Sequence, residues 1–453
     1  MAQNIKKTIN YSRKNGYCET FLAAWERVTA KYYKDYAYRQ PKEAQLAGQR
    51  NDKSITDIRF SILVPAFETQ TVYLTALISS CLVQTYENWE LIIVDGSRSD
   101  IVKQTVDGFC DSRIKYERLA QNGGIAENTG RAIELAQGDY CGFLDHDDML
   151  TPDALYEMAN AIKDKNAEGR PILVYSDEDK CDSAGTSFYD PHFKLDFNLD
   201  LILTNNYICH FTVVETQILK KLGIRKEYDG SQDYDLILRI VSTLLLRERE
   251  NAGAVRVEEK IAHVPKVLYH WRCHENSTAD NPQSKMYAYE AGKKALTDFA
   301  DRMGWKGEVR HNKHLGFYRI EYRNDVLTHR PDLAAVGGYV VRHGKIVSGI
   351  YRGQPLVYAG YMNRMDLYQN IETLDIRNLA VNREYQPVYE SVTGHAYETT
   401  LATDAKSELP PWIKELEKSQ DRHAVEKLNK RLSAALRGAG GRLLLDPEYI
   451  RKV

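Results

Sequence analysis

Between Tyr140 and Leu144 the chain is apolar, and it then breaks into Asp145-His146-Asp147-Asp148, three carboxylates within four residues. A short apolar run of this kind reads as a buried strand. Clustered like charges at its end are strongly destabilising in a core unless they are paired or bound to a metal. The fold must therefore bring this strand end to the rim of a sheet, beside a cation. Oxygen-only ligands suit Mg²⁺ or Mn²⁺, ions usually shared between one or two carboxylates and substrate phosphates. The same stretch also suits the approach to a helix, because Thr151-Pro152-Asp153 follows and starts one well.

From Ile58 onward, strands and helices alternate. Phe60 to Val64 reads as a strand ended by Pro65, Val72 to Gln84 as a helix, and Trp89 to Val94 as a strand ended by Asp95-Gly96-Ser97. A helix over Val102 to Phe109, a strand-like Ile114 to Glu117 and a helix over Gly124 to Leu135 complete the series. This alternation predicts an α/β domain with a mixed, mainly parallel sheet flanked by helices. Open sheets of this type bind ligands at the carboxyl ends of their strands. Pro65, Ala66, Phe67, Glu68, Asp95 and Asp145 are thereby candidates to line one crevice, although each residue type also serves in ordinary βα turns.

Three later groups carry chemistry-bearing side chains. Asp177, Glu178 and Asp179 follow a strand read over Ile172 to Tyr175, where a solvated turn accounts for them equally well. Asp229 to Leu236 leads into an apolar-periodic helix, so that Asp233 stands either as an N-cap or as a carboxylate facing the crevice. His270-Trp271-Arg272 follows a strand read over Lys266 to Tyr269. Here a histidine is either structural or a ligand, and an arginine suits phosphate oxygens.

A chain of 453 residues, 43% hydrophobic and 27% charged, has an ordinary globular composition and length for about two to three domains. No apolar run is long enough to cross a bilayer, and MAQNIKKTIN lacks a signal-peptide core, so a cytoplasmic protein is expected. The seven cysteines contain no CxxC pair and read as reduced thiols. A net charge of -2 gives no reason to expect nucleic acid as a partner. Residues 1–50 are nevertheless basic, with ten Lys/Arg against four Asp/Glu. Phe21, Leu22, Trp25, Val28, Tyr32 and Tyr36 recur there at helical spacing. Such a stripe either lies on an anionic membrane surface or packs on the following domain.

The series SILVPAFE, LIIVDGSRSD and NGGIAENTGRAIELAQGDYCGFLDHDD resembles the nucleotide-binding half of family 2 glycosyltransferases. The match continues through LVYSDEDK, YDPHFKLDFNLDLILTNNYICHFTV, DGSQDYDLILRI and HVPKVLYHWRCHENSTA, covering roughly residues 58 to 300. The nearest likeness is to bacterial rhamnosyltransferases and enzymes of O-antigen or capsule synthesis. The resemblance implies the GT-A nucleotide-diphospho-sugar transferase fold, a UDP- or dTDP-sugar donor, a saccharide or lipid-linked saccharide acceptor and a divalent metal, Mn²⁺ or Mg²⁺. It further implies that Pro65, Ala66 and Glu68 contact base or ribose and that Asp95 reads the base edge. Asn122, Gly124 and Asn128 would shape the loop beside the nucleotide. Asp95-Gly96 stands where many relatives have two consecutive aspartates.

By the same resemblance Asp145-His146-Asp147 takes the DxD role, with Asp147 binding metal and Asp145 near the ribose or the metal. His270 would complete the metal shell and Arg272 would pair phosphate. Asp177, Glu178 and Asp179 would lie beneath the donor sugar and diphosphate, and the segment 207–210 along the acceptor side. Asp233 is implied as the general base, with Asp235 as the alternative, and a single base with in-line attack implies inversion. The domains expected are a basic helical extension (1–57), a GT-A catalytic domain (58–322), an accessory α/β lobe like part of a second transferase domain (323–402) and a helical tail (403–453). The lobe would bind acceptor, with Tyr351, Tyr358, Tyr361 and Tyr368 as stacking surfaces, or mediate association into a homo-oligomer. The tail would dock on the body, pair with a partner or touch the membrane. Two other classes compete: a sugar nucleotidyltransferase, for which VPAFETQ lacks a Gly-rich phosphate loop with a basic residue, and a non-catalytic sugar-binding scaffold.

Overall fold

The strand Phe60–Ala66 (β1) is central because both of its faces are apolar and both are covered. In the computed structural model, which describes residues 12, 36–55, 57–163, 169–250, 255–274, 286–312, 315–322, 325–343, 345–351, 354–355, 367–402, 408–421 and 423–453, β1 pairs in parallel with Trp89–Asp95 (β2) and Tyr140–Phe143 (β4). Ile114–Arg118 (β3) extends the sheet in parallel beyond β2. Alternate residues of β1 and β2 point to opposite faces. Leu63, Ile92 and Val94 meet Ala132 and Ile133 on one side, while Ile62, Val64, Leu91 and Ile93 meet Leu74, Leu77 and Ile78 on the other. The covering helices are α2 (Thr71–Leu82), α3 (Ile101–Asp107) and α4 (Ile125–Leu135), preceded by α1 (Glu43–Asn51).

The second half of the sheet is mixed. Met149–Leu150 (β5), α5 (Ala154–Lys163), Leu173–Cys181 (β6), Phe188–His192 (β7), α6 (Leu199–Ile202), Thr212–Glu215 (β8), α7 (Thr216–Leu222), α8 (Gln232–Glu250), α9 (Val257–Lys260) and Ile261–Arg272 (β9) follow in order. The sheet runs β3-β2-β1-β4-β8-β6-β9-β5, with β7 added on β6. Two strands are longer than their apolar runs imply. β6 continues through Asp177, Glu178 and Asp179, so these acids lie within a strand and not in a turn, and β9 likewise includes His270, Trp271 and Arg272. The reason is pairwise neutralisation: Asp177 meets His263 at 2.9 Å, and Asp179 meets His270 at 2.5 Å on the adjacent parallel strand.

Helix α10 (Met286–Met303) packs on α8 and leads to the hairpin Gly307–His311 (β10) and Tyr318–Tyr322 (β11). After α11 (Val326–His329), a second sheet forms around Leu333–Arg342 (β12). The short strands β13 (Lys345–Ile346), β14 (Ile350–Tyr351), β15 (Gln354–Pro355), β16 (Gln369–Asn370) and β17 (Leu379–Val381) precede α12 (Gln386–Thr393), α13 (Pro411–Glu417) and α14 (Ala424–Gly438). The final Arg442–Lys452 (β18) then pairs in parallel with β12. Residues 403–453 are therefore not a helical tail separable from 323–402. Leu443, Leu444 and Leu445 are buried where β18 lies between β12 and β16.

The expected helical stripe at Phe21, Leu22, Trp25, Val28 and Tyr32 lies outside the described residues, as do Tyr358 and Tyr361 and the side chain of Tyr351. Tyr36 packs on the domain: its hydroxyl donates to Asp179 at 2.6 Å and its ring meets Phe193 edge-on. Tyr368 is buried and receives a hydrogen bond from Arg319, which places it in the lobe interface and not on a sugar-stacking surface.

Candidate active site

The carboxyl ends of β1, β2 and β4 lie side by side, because Ala66 is in register with Asp95 and Leu63 with Phe143. Pro65 and Ala66 form the end of β1, and the Ala66 carbonyl accepts from Gly96 N at 3.0 Å. Asp95 is fully buried. Its Oδ1 accepts from Ser97 N at 2.8 Å and its Oδ2 from the Tyr116 hydroxyl at 2.8 Å. Gly96 lies under the next loop: a Cβ there would stand 2.7 Å from Asn122 Oδ1 and 2.9 Å from Asn128 Nδ2. The absence of a side chain at 96 is what lets these groups converge. Asn122 Oδ1 accepts from Gly124 N and from Asn128 Nδ2, while the buried Asn128 Oδ1 has no partner among the described residues. Gly124 is at φ 89°, a backbone setting that glycine adopts without strain. Glu68 instead turns onto its own neighbours. Its carboxylate accepts from Arg98 N, Ser99 N and the Ser99 hydroxyl, and these bonds, that of the Ser99 hydroxyl foremost, hold it below the usual glutamate value.

The three carboxylates after β4 have separate fates. Asp145 keeps 44% of its side chain exposed and lies 3.8 Å from His210 Nε2. Desolvation by the crevice walls raises its pKa, the charges of Asp147 and Asp233 add to this, and His210 and His146 oppose it. Asp147 Oδ2 meets His274 Nε2 at 2.8 Å, and the Asp147 carbonyl accepts from Arg272 Nε at 2.6 Å. Asp148 is fully buried, accepts from Arg272 N at 2.7 Å and from the Tyr269 hydroxyl at 2.5 Å, and has its pKa raised well above the usual value, mainly by burial. Asp148 is thus a packed strut for the loop. The imidazole that reaches Asp147 is His274, not His270. His270 is buried with Nδ1 on Asp179, between the rings of Tyr38 and Phe188.

Asp233 begins α8, and its Oδ2 accepts from Asn206 Nδ2 at 2.8 Å. Its charge acts on Asp145 across the crevice. Asp235, in contrast, is 1% exposed and held by Arg225 and Arg239, so it has no freedom to serve as a base. Asp229 ties the two sides together: Oδ1 accepts from Ala126 N at 3.2 Å, just after Gly124.

Beneath these groups, Glu178 is the hub of a buried charge cluster. Its Oε2 accepts from His210 N at 2.8 Å and meets His210 Nδ1 at 3.1 Å, while Oε1 meets His192 at 3.1 Å and Lys194 at 3.9 Å. Burial alone would raise its pKa. Lys194, His192 and His210 overcome that and hold the carboxyl well below the usual range. Burial would likewise lower His210, but Cys209 and Glu178 hold it well above its ordinary value. Asp177 accepts from Lys194 N and meets His263, and Asp179 is enclosed by Tyr36 and His270, so both support the floor without entering the crevice. Arg272 is 1% exposed, and its Nη2 has no partner among the described residues. Asn206 and His274 are not readable as site residues from local pattern, and His210 is expected only as part of the acceptor-side segment 207–210. They follow no strand-end acid and become neighbours only through folding.

Among the described residues no three His, Cys, Asp or Glu side chains form a complete cation cage. The donor set fits a cation that takes its remaining ligands from substrate: Asp147 and Asp145 present carboxylate oxygens at an open rim, as Mg²⁺ and Mn²⁺ sites do. Among the described residues no helix is long and apolar enough to cross a membrane.

Residues 61–223 match the family model Glycosyl transferase family 2. The uncharacterized protein y4gI of Sinorhizobium fredii is 35% identical over 53% of this chain and 25% of its own length. The O-antigen biosynthesis protein RfbC of Myxococcus xanthus is 29% identical over 58% of this chain and 19% of its own. The Escherichia coli UDP-Glc:alpha-D-GlcNAc-diphosphoundecaprenol beta-1,3-glucosyltransferase WfgD is 37% identical over 24% of this chain and 43% of its own. The chain spans less than half the length of each of these relatives.

Proposed function

We propose, from the premise that residues 61–223 are a family 2 glycosyl transferase domain, that this protein transfers a sugar from a UDP- or dTDP-linked donor, with inversion, to a hydroxyl of a growing cell-surface polysaccharide or a lipid-linked saccharide. The observation that carries the reading is that the charges of Asp147 and Asp233 both act on Asp145 at the end of β4, whose neighbours β1 and β2 end at Ala66 and at the buried Asp95 under the 122–128 loop. The relatives' names, one for O-antigen biosynthesis and one for a diphosphoundecaprenol acceptor, support the class of acceptor. The site of action is then the cytoplasmic face of the membrane, with the protein at its surface.

The chemistry follows from the placement of groups. Asp233 takes the proton of the acceptor hydroxyl as its oxygen forms a bond to the anomeric carbon. The bond from that carbon to the diphosphate oxygen breaks on the opposite face, and its electron pair leaves with the nucleoside diphosphate. With a single displacement on the face opposite the departing diphosphate, the configuration inverts. Mn²⁺ or Mg²⁺ held by Asp147 and Asp145 would supply charge to stabilise the departing diphosphate. Arg272, bonded to the Asp147 carbonyl and with Nη2 unpartnered among the described residues, would add a further positive charge beneath the Asp145-His146-Asp147 loop.

The test is nucleotide release from a panel of UDP-, dTDP- and GDP-sugars with Mn²⁺ or Mg²⁺. Release is expected to cease with EDTA and to return on adding metal. Asp233→Asn is expected to lower the rate by about 10²- to 10⁴-fold, the usual weight of a general base. Metal-independent release, or an unimpaired Asp233→Asn, overturns the assignment.

A further inference from the structure

The segment 198–206 joins the C-terminal lobe to Asp233. At its start, Asn198 and Asp200 are gripped by β16: Asn370 N donates to Asn198 Oδ1 at 2.9 Å, and Asn198 Nδ2 donates to the Asn370 carbonyl at 2.8 Å. Asp200 N donates to Asn370 Oδ1 at 3.0 Å, and Asn370 Nδ2 donates to Asp200 Oδ2 at 2.7 Å. Arg330, with no exposed surface, holds both Asp200 oxygens at 2.6 and 3.1 Å, is itself paired with Asp332, and lies 4.0 Å over the Trp305 ring.

Farther along, the Ile202 carbonyl accepts from the Tyr234 hydroxyl and the Thr204 carbonyl from Tyr318 N, both at 2.7 Å. The segment then delivers Asn206 to Asp233. That amide makes no other side-chain bond among the described residues, because its Oδ1 is buried without a partner. Reversing it would set two acceptor oxygens face to face, so the Asp233 carboxylate alone fixes its orientation. Asp233 Oδ1 receives no bond from the described residues and is left for the incoming hydroxyl. Apolar packing would join two lobes as strongly as these bonds do. What directional bonds add is a single register.

We infer that the C-terminal lobe takes part in the reaction by position: Arg330 and Asn370 lock segment 198–206, and Asn206 at its end is a positioning residue that aims Asp233. The inference rests on the assignment of Asp233 as base and extends it to the lobe that carries neither nucleotide nor metal ligands.

The experiment uses the full chain and the UDP- or dTDP-sugar from which nucleotide is released fastest. It measures kcat, donor KM and thermal midpoint for Asn206→Leu, Asn206→Asp, Asn370→Ala and Arg330→Met. Asn206→Leu is expected to lower kcat about ten- to hundredfold, the effect of an ångström-scale misplacement, with donor KM and melting unchanged. Asn206→Asp lowers it further, since it sets a second negative charge against the base. Asn370→Ala lowers kcat while the affinity for UDP or dTDP with Mn²⁺ is retained, and it carries the test if Arg330→Met fails to fold. Wild-type kcat in both Asn206→Leu and Asn370→Ala, in a protein that Asp233→Asn inactivates, overturns the inference. So does a fall in kcat that merely follows a fall in melting temperature. An active Asp233→Asn would instead remove the base assignment beneath it.

Discussion

Asp233 and Asp235 are two residues apart and chemically identical, yet the fold gives them opposite surroundings. Asp233 faces the crevice with one amide partner, whereas Asp235 lies one helical step around and is enclosed by Arg225 and Arg239. Asp235→Asn is therefore expected to cost about 1–3 kcal/mol in chemical denaturation, since it removes the buried acceptor of the charged bonds from the partly exposed Arg225 and Arg239. Asp233→Asn, which keeps an oxygen to accept from Asn206 at a partly exposed position, should change stability by less than about 0.5 kcal/mol. Equal losses would show that the two acids share one structural role. Glu178 illustrates a charge that folding depresses. Its contribution to stability is complete above the ordinary value of 4.5 and is lost as pH falls below that toward its lower folded pKa. Glu178→Gln is expected to remove about 3 kcal/mol at pH 7 by leaving Lys194 and the two histidines without their counter-ion. It should also flatten the acid limb of urea midpoints measured from pH 5 to pH 3. An acid limb as steep as that of the unaltered chain would exclude Glu178 as its source.

At the scale of elements, the rim of β1, β2 and β4 is the part a reader of the sequence can find. Apolar runs that end in Pro65-Ala66, Asp95-Gly96 and Asp145-His146-Asp147 mark buried strands whose ends must meet water, and that demand is local. The ends of β6 and β9 are not found in this way. Asp177, Glu178 and Asp179 look like a turn because nothing nearby in the chain neutralises them. Their partners His263, His192, His210 and His270 arrive from other elements. The family resemblance puts His270 on the metal side, whereas Asp179 occupies its Nδ1 and His274 meets Asp147. His274 also stacks on Tyr73 of α2 at 5.3 Å. His274→Ala is expected to raise the Mn²⁺ concentration needed for half-maximal nucleotide release by about 10- to 100-fold, as loss of a ligand's partner does, and His270→Ala to lower thermal stability instead. The opposite pattern would restore His270 to the metal side.

For the whole molecule, the second sheet is closed by the last strand, so the lobe after Tyr322 is one unit from Val326 to Lys452. Arg442 of β18 pairs with Glu248 and Glu258 of the catalytic domain, and Arg330 with Asp200. A chain ending at Tyr322 would leave Asp200 without its guanidinium and uncover the part of the catalytic core that Leu367 packs on. Its nucleotide release is expected to fall by at least about tenfold, the lower bound set for Asn206→Leu, and full release would show the lobe to be dispensable. Two things were determined by the amino-acid order alone: the alternation that makes a layered α/β sheet, and the acid-tipped strands that line its rim. Both follow from burial along a short stretch of chain. Only the tertiary structure decided which of Asp233 and Asp235 is buried, which histidine meets Asp147, and that a distant lobe grips the segment whose end bonds Asp233. Those outcomes depend on partners that are far apart in sequence, and a charge's environment exists only once the folded chain has assembled it.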